Sequence, residues 1–584
     1  MQPVTVSLRR RGNLLLIVFL LAAVGLSYRL YTWQVINAGM LDLKGTKEHA
    51  LQVPIDAPRG RIFDSQGKVL VTNVEFERVY AVPPDVKDPV TTASRLAPVL
   101  GMSYDRLFAL LQTKSNYITL ARKIDPSVRD QVNALNMPGI SMEPDVKRSY
   151  PAGSLAAQVL GFTNYNGDGN YGLEQYYNSE LTGKPGELRA ERDGLGNEID
   201  LSHAVRIAPV PGKDLHLTID SAIQYDAEQE LAAGLQKHGA ISGSIVVMDP
   251  STGAILAMAN SPSYDPNQFQ ATAVARFVNE AVSAPFEPGS TFKLITMATG
   301  LEHGAITPLS TVNDPGYLTE YGSTIHDWDR KSHGTVTMRY VLDHSLNVGA
   351  AFAAKQTGAQ TFYQGVNAFG FGRPTGIDIQ GEEGGIVYTN QNADWRPISL
   401  ATNSFGQGLT ATSLQIATAV SVIANGGNLL RPFVVQQIIS PDGVQATQPK
   451  VVGHPISPAT AATLTNMMEE VPVKGEATLA LIPGYLVAGK TGTAQIAENG
   501  GYSPDATIAS FVGFAPAQHP AFVIYIVLDH PTDSPYGSET AAPMFAELGQ
   551  QILVHMGIAP TEPLPTPTAT AGPRSATPTA GARR

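Results

Sequence analysis

Three short stretches of this chain carry residue types suited to nucleophilic chemistry. The first is Phe286-Glu287-Pro288-Gly289-Ser290-Thr291-Phe292-Lys293. Pro288 and Gly289 form a turn, and the mostly apolar run Ser290 to His303 predicts a helix, ended by Gly304. A run that is apolar on most faces belongs inside a domain. Such a helix sets Ser290 and Lys293 one turn apart on one face. A serine hydroxyl is a weak nucleophile until a base takes its proton, and a desolvated lysine can be that base. The spacing alone is not specific, because Ser65-Gln66-Gly67-Lys68 repeats it. There Gly67 interrupts any helix, and Asp64 and Gln66 point to a polar turn, so Ser65 reads as a hairpin residue.

The second stretch is Ser345-Leu346-Asn347, on a loop before a helix that starts near Val348. Its hydroxyl can relay a proton and its amide can hold a carbonyl, but Ser and Asn are also ordinary cap and turn residues. The third is Gly489-Lys490-Thr491-Gly492-Thr493-Ala494, on a strand. Lys490 offers a charge and Thr491 a hydroxyl to a substrate carboxylate. Gly492 carries no side chain, so a substrate backbone can approach the strand edge. The N–H groups of Ser290 and Thr493 can form an oxyanion hole. The plainer reading is an edge strand guarded by a lysine.

The surrounding pattern supplies elements to hold these groups. A helix capped by Thr218 or Asp220 runs to about His238. Ile245 to Met248 and Ala254 to Met258 form a hairpin through Asp249-Pro250-Ser251-Thr252-Gly253. A helix-rich section covers Met338 to about Asn425. Strands follow at Gly484 to Ala494, Ala506 to Phe514 and Ala521 to Asp529, then a helix from about Ala541 to Met556. Strands at both ends with helices between them predict one sheet completed by distant segments and covered by helices. Upstream, Ala57 to Val71 reads as two strands and a tight turn. Arg59 and Arg61 there are solvated charges, or Arg59 ties the hairpin to a carboxylate. Pro89 to Leu135 holds two or three short helices, Asn164 to Gly172 is a solvated loop, and Leu188 to Val210 reads as strands with turns at Asp193-Gly194 and Gly196-Asn197.

At 584 residues the chain exceeds one domain. A net charge of −11 with 16% charged residues argues against a nucleic-acid surface, and the absence of cysteine excludes disulfides, thiolate metal sites and a cysteine nucleophile. Arg9, Arg10 and Arg11 precede the apolar run Leu14 to Leu26, with Tyr28, Arg29, Tyr31 and Trp33 beyond it. Aromatic residues suit a membrane interface and Arg29 can snorkel. No small-x-small cleavage site follows, so the run reads as a retained single-pass anchor with a cytoplasmic N-terminus and an exported remainder. The segment 560–584 is Pro, Thr, Ala and Gly with few large apolar residues, which predicts disorder.

Ser-x-x-Lys, Ser-x-Asn and Lys-Thr-Gly, in this order and setting, form the signature of penicillin-binding proteins and serine β-lactamases. The chain resembles a class B penicillin-binding protein, a peptidoglycan D,D-transpeptidase, most like the cell-division type. The resemblance extends to Arg59-Gly60-Arg61-Ile62-Phe63-Asp64, Arg148 with Tyr150-Pro151-Ala152-Gly153, Gly172-Leu173-Glu174, Gly406-Gln407-Gly408 and Lys490 to Gln495. Leu346 departs from the small residue of many relatives, and its side chain is expected to point away from Ser345 and Asn347.

The resemblance implies an α+β multidomain fold: cytoplasmic residues 1–12, a transmembrane helix at 13–34, an elongated pedestal of dimerisation type at 45–212, and a transpeptidase domain at 240–557. The last would hold a five-stranded antiparallel sheet flanked by helices. It also implies Ser290 as nucleophile, Lys293 as general base, Ser345 as proton relay, Asn347 and Lys490 as further catalytic groups, and Thr491, Gly492 and Thr493 as substrate-binding positions. No metal or organic cofactor is implied. The implied partners are peptidoglycan stem peptides, β-lactams as covalent inhibitors, the cell membrane and a membrane glycan polymerase of the SEDS family. Alternatives are a D,D-carboxypeptidase or β-lactamase-type hydrolase, a β-lactam sensor, or a non-catalytic scaffold.

Overall fold

The computed structural model describes residues 5–41, 50–115, 117–191, 205–498 and 501–564. The helix Thr5–Tyr31, continued by Thr32–Ile36, holds a stretch long and apolar enough to cross a membrane. None of that stretch is buried against protein.

The chain forms two compact units that interleave in sequence. The first holds Met1–Arg59, Asn73–Lys147 and Gly183–Gly212. Its core packs Val79, Leu96, Leu107, Leu111, Leu120 and Val132. These come from three helices, Pro89–Leu100, Tyr104–Leu111 and Pro126–Leu135, and from the strands Val69–Ala81 and Ile118–Ile124. Asp88 caps the first helix through the Thr91 N–H at 3.0 Å. Strands Ala50–Ile55, Gly186–Glu191 and Val205–Ile207 form a three-stranded antiparallel sheet. The turns expected at Asp193-Gly194 and Gly196-Asn197 lie outside the described residues.

The second unit holds Gly60–Thr72, Arg148–Thr182 and Lys213–Arg584. In chain order its main elements are α1 (Ser221–His238), β1 (Ser242–Met248), β2 (Ile255–Ser261), α2 (Lys293–Glu302), α3 (Met338–Asp343), α4 (Asn347–Thr357), α5 (Ser413–Ala424), β3 (Ala488–Glu498), β4 (Gly501–Ala515), β5 (Phe522–Asp529) and α6 (Ala541–His555). The five strands form one antiparallel sheet, as expected, and their order is β2-β1-β5-β4-β3. Adjacent residues of β1 show how its faces are covered. A Cβ at Gly243 would meet Leu231 of α1, whereas Ser244 hydrogen-bonds Ser413 of α5 at 2.8 Å. Strands covered on both faces are buried at nearly every position, as β1 and β5 are. Helix α5 is buried along almost its whole length and carries a capping box between Thr412 and Gln415.

Several expectations are corrected. The helix expected from Ser290 starts at Lys293, because Gly289–Phe292 forms a 3₁₀ turn on a Gly289 with φ of 57°. The strand expected from Gly484 starts at Ala488, because Gly484 turns the chain at φ 84°. Disorder was expected from residue 560, yet the N–H groups of Thr561 and Glu562 donate to the Gly484 carbonyl at 2.9 Å, which seats the first residues of that segment. The rest of it, from 565, lies outside the described residues. Arg61 keeps a solvated side chain, 53% exposed, whose Nε and Nη2 both donate to Asp214 Oδ2 at 3.2 and 2.8 Å, whereas Arg59 is buried. Ser65 does lie in a turn, where Asp64 accepts the N–H groups of Gln66 and Lys68 and the Ser221 hydroxyl. Asp220, not Thr218, caps α1.

Arg148 and Glu174 meet inside the second unit at 2.7 Å, with side-chain exposures of 4% and 0%. Tyr150 joins them, its hydroxyl accepting the Thr163 N–H at 3.1 Å. A buried cation left without its carboxylate is costly, so Glu174→Ala is expected to lower unfolding free energy by about 3–5 kcal/mol. Urea denaturation would measure this, and a loss below 1 kcal/mol would show that the pair is not structural.

Candidate active site

The 3₁₀ turn brings Ser290 and Lys293 together. Side chains three residues apart nearly eclipse in that geometry, and Lys293 Nζ lies 3.0 Å from Ser290 Oγ. Two glycines permit the approach. The Gly289 N–H donates to the Gly406 carbonyl at 3.1 Å, and a Cβ on either residue would collide with the backbone of the other strand or turn beside it. Glu287, just before the turn, accepts the Gly408 N–H at 2.9 Å and the Tyr502 hydroxyl at 3.2 Å. The sequence motif Gly406-Gln407-Gly408 is thus a strut for the nucleophile turn.

Ser345 sits between α3 and α4 at a φ of 56°. That left-handed conformation is strained for a non-glycine residue and is found at functional sites. It turns the Ser345 carbonyl and hydroxyl together toward Lys293, whose Nζ donates to both, the hydroxyl at 3.2 Å. Leu346 points the other way and is fully buried in the core, as expected. Asn347 opens α4. Its N–H and that of Val348 donate to Asp327 Oδ1 at 2.5 and 3.1 Å, and its side-chain amide donates to the His326 carbonyl at 2.8 Å. The segment His326-Asp327 therefore orients Asn347.

Lys490 arrives from β3, the edge strand of the sheet. Its Nζ lies 2.8 Å from Ser345 Oγ and 3.2 Å from Thr491 Oγ1. Ser345 Oγ is thus contacted by both lysines. The side chain of Thr493 is half-buried, and its carbonyl lies 2.8 Å from where a Gly289 Cβ would be, so this part of β3 runs along the nucleophile turn. Gly492 is confined by the protein's own packing. A Cβ there would strike the Ser510 hydroxyl and come within 2.9 Å of Thr291 Cγ2. Its missing side chain makes room for the turn that carries Ser290.

Both lysines are fully buried. Burial and the charge of Lys490 push Lys293 down to about 7, so it is a proton acceptor near neutral pH. Burial also lowers Lys490, but Glu476 opposes the shift. Glu476 and Asp327 are the site residues that sequence reasoning missed. Glu476 accepts from both Lys490 Nζ and Thr491 Oγ1. Neither residue belongs to a motif, and neither lies near its partners in the chain.

The residues 243–550 match the model of the penicillin binding protein transpeptidase domain, and 54–217 that of the penicillin-binding protein dimerisation domain. The chain belongs to the penicillin-binding protein family. Having a dimerisation and a transpeptidase domain, it is a class B member. Stage V sporulation protein D of Bacillus subtilis is 32% identical over 96% of this chain and 88% of its own. Peptidoglycan D,D-transpeptidase FtsI of Escherichia coli K12 is 33% identical over 93% of this chain and 91% of its own. Among solved structures, penicillin-binding protein 3 of Mycobacterium tuberculosis complexed with aztreonam superposes with a TM-score of 0.68, at 28% identity, over 88% of this chain and 100% of that one. A peptidoglycan synthetase of Bifidobacterium adolescentis gives a TM-score of 0.72, at 28% identity, over 88% and 98%.

In this penicillin-binding protein the packing around Gly492 yields a direct test. Gly492→Ala is expected to cost about 1–3 kcal/mol through overpacking, measured as a fall in denaturation midpoint. An unchanged midpoint would mean that the Ser510 and Thr291 side chains move aside freely.

Proposed function

We propose that this chain is a penicillin-sensitive peptidoglycan D,D-transpeptidase of cell-wall synthesis, working through a Ser290 acyl-enzyme. The chain of contacts that runs from Ser290 through Lys293 to Ser345, and from Ser345 to Lys490, carries the reading. Lys293 Nζ takes the proton as Ser290 Oγ attacks the carbonyl carbon between the two terminal D-alanines. The oxyanion is held by the N–H groups of Ser290 and Thr493. As the C–N bond breaks, Ser345 Oγ passes a proton to the departing D-alanine amine and is reprotonated by Lys293, which gives up the proton taken from Ser290. An amine of a neighbouring stem peptide then attacks the acyl carbonyl and gives its proton to the neutral Lys293, which returns it to Ser290 Oγ as the ester C–O bond breaks, and a cross-link is made. Lys490 and Thr491 bind the substrate carboxylate, and Asn347 holds a substrate carbonyl. A β-lactam enters the same path, and its acyl group stays on Ser290.

The septum is the site of action that the relative FtsI suggests. The segment 45–212 serves as a pedestal and 240–557 as the catalytic domain. The N-terminal helix anchors the chain with Arg9, Arg10 and Arg11 on the cytoplasmic side, and a SEDS-family polymerase is its membrane partner.

Ser290→Ala is expected to abolish covalent labelling by a fluorescent penicillin, while Ser65→Ala labels as the parent does. Labelling that survives Ser290→Ala would refute the reading. The pH dependence follows from Lys293. Its pKa is lowered, so the neutral base is lost as pH falls through about 7. The acylation rate should therefore drop by about tenfold per pH unit below that point. A rate flat from pH 5 to pH 8 would show that Lys293 is not the base.

A further inference from the structure

Glu476 lies on the loop after the helix Pro458–Lys474. Its N–H donates to the Asp343 carbonyl at 3.1 Å, at the end of α3 and two residues before Ser345. Gly475 allows this, since a Cβ there would clash with the same carbonyl. From this seat a single carboxylate oxygen, Glu476 Oε1, accepts from Lys490 Nζ and from Thr491 Oγ1. Those are the two donors assigned above to the substrate carboxylate. The Lys490 side chain has no exposure, whereas that of Glu476 keeps 18%. The carboxylate of the ion pair is therefore the partner that faces solvent.

A protein carboxylate thus holds the groups that an incoming carboxylate would need. Two carboxylates cannot share one ammonium and one hydroxyl without strong like-charge repulsion. We propose that Glu476 is a specificity-determining residue, a resident anion that a carboxylate-bearing substrate or β-lactam must displace from Lys490 and Thr491 before it can react. Glu476 lowers affinity for such ligands in the step before acylation and leaves uncharged ligands unaffected. This rests on Ser290 being the acylated residue and on Lys490 and Thr491 forming the anion site.

The test compares full-length protein in detergent with its Glu476→Gln and Glu476→Ala variants. Saturable acylation is measured with benzylpenicillin and with benzylpenicillin methyl ester, which lacks the charge. For benzylpenicillin, the dissociation constant of the pre-covalent complex should fall by about tenfold or more in both variants. For the ester it should stay within about twofold of the parent. Slower or unchanged benzylpenicillin acylation in variants that keep the parental Tm would overturn the proposal, because Glu476 would then support Lys490 rather than compete for it. An equal gain for the ester would also overturn it. Labelling that survives Ser290→Ala would overturn the functional reading along with this one, and so separates the two failures.

Discussion

Two lysine ammonium groups without solvent exposure meet at one serine hydroxyl, and the rest of the catalytic unit is built to make that possible. Burying one cation is costly, and burying two side by side is more so. The structure offsets this cost with the Ser345 carbonyl and hydroxyl, the Thr491 hydroxyl and the Glu476 carboxylate. The same repulsion that costs stability lowers Lys293 into the neutral range. Burial thus brings a lysine into the range where it can give up its proton near neutral pH.

Positioning depends on backbone that ordinary elements would not supply. Ser345 holds a left-handed conformation, and Gly289 does the same at the start of the nucleophile turn. The turn is wedged between β3 and the Gly406 loop, where the spaces around Gly289, Gly406 and Gly492 admit no side chain. The sheet beneath is covered on both faces, by α1 and α6 on one side and α5 on the other, and is correspondingly apolar. Such close-packed layers resist the small displacements that would separate Ser290 from Lys293.

The division of the chain into units also follows packing rather than order. The segments Gly60–Thr72 and Arg148–Thr182 belong to the unit that holds the active site, although both lie upstream of it. The buried pair of Arg148 and Glu174 joins two short stretches that lie 26 residues apart in the chain. Two relatives about a third identical align over 96% and 93% of this chain.

The sequence by itself determined the five strands and their covering helices, the Ser65 turn, the apolar N-terminal helix and the residues Ser290, Lys293, Ser345 and Lys490. Hydrophobic period and local turn chemistry are written in neighbouring residues, and the motifs sit within a few positions of each other. Tertiary structure decided the start of α2 at Lys293, because Gly289 and Gly406 press together only in the folded chain. It decided why residue 492 is glycine, through Ser510 on the paired strand. It also decided the presence of Glu476 and Asp327 at the site, since a carboxylate on an unmarked loop acquires a partner only when the loop is placed. Desolvation, which sets the chemistry of both lysines, has no local signature at all: it is a property of everything packed around them.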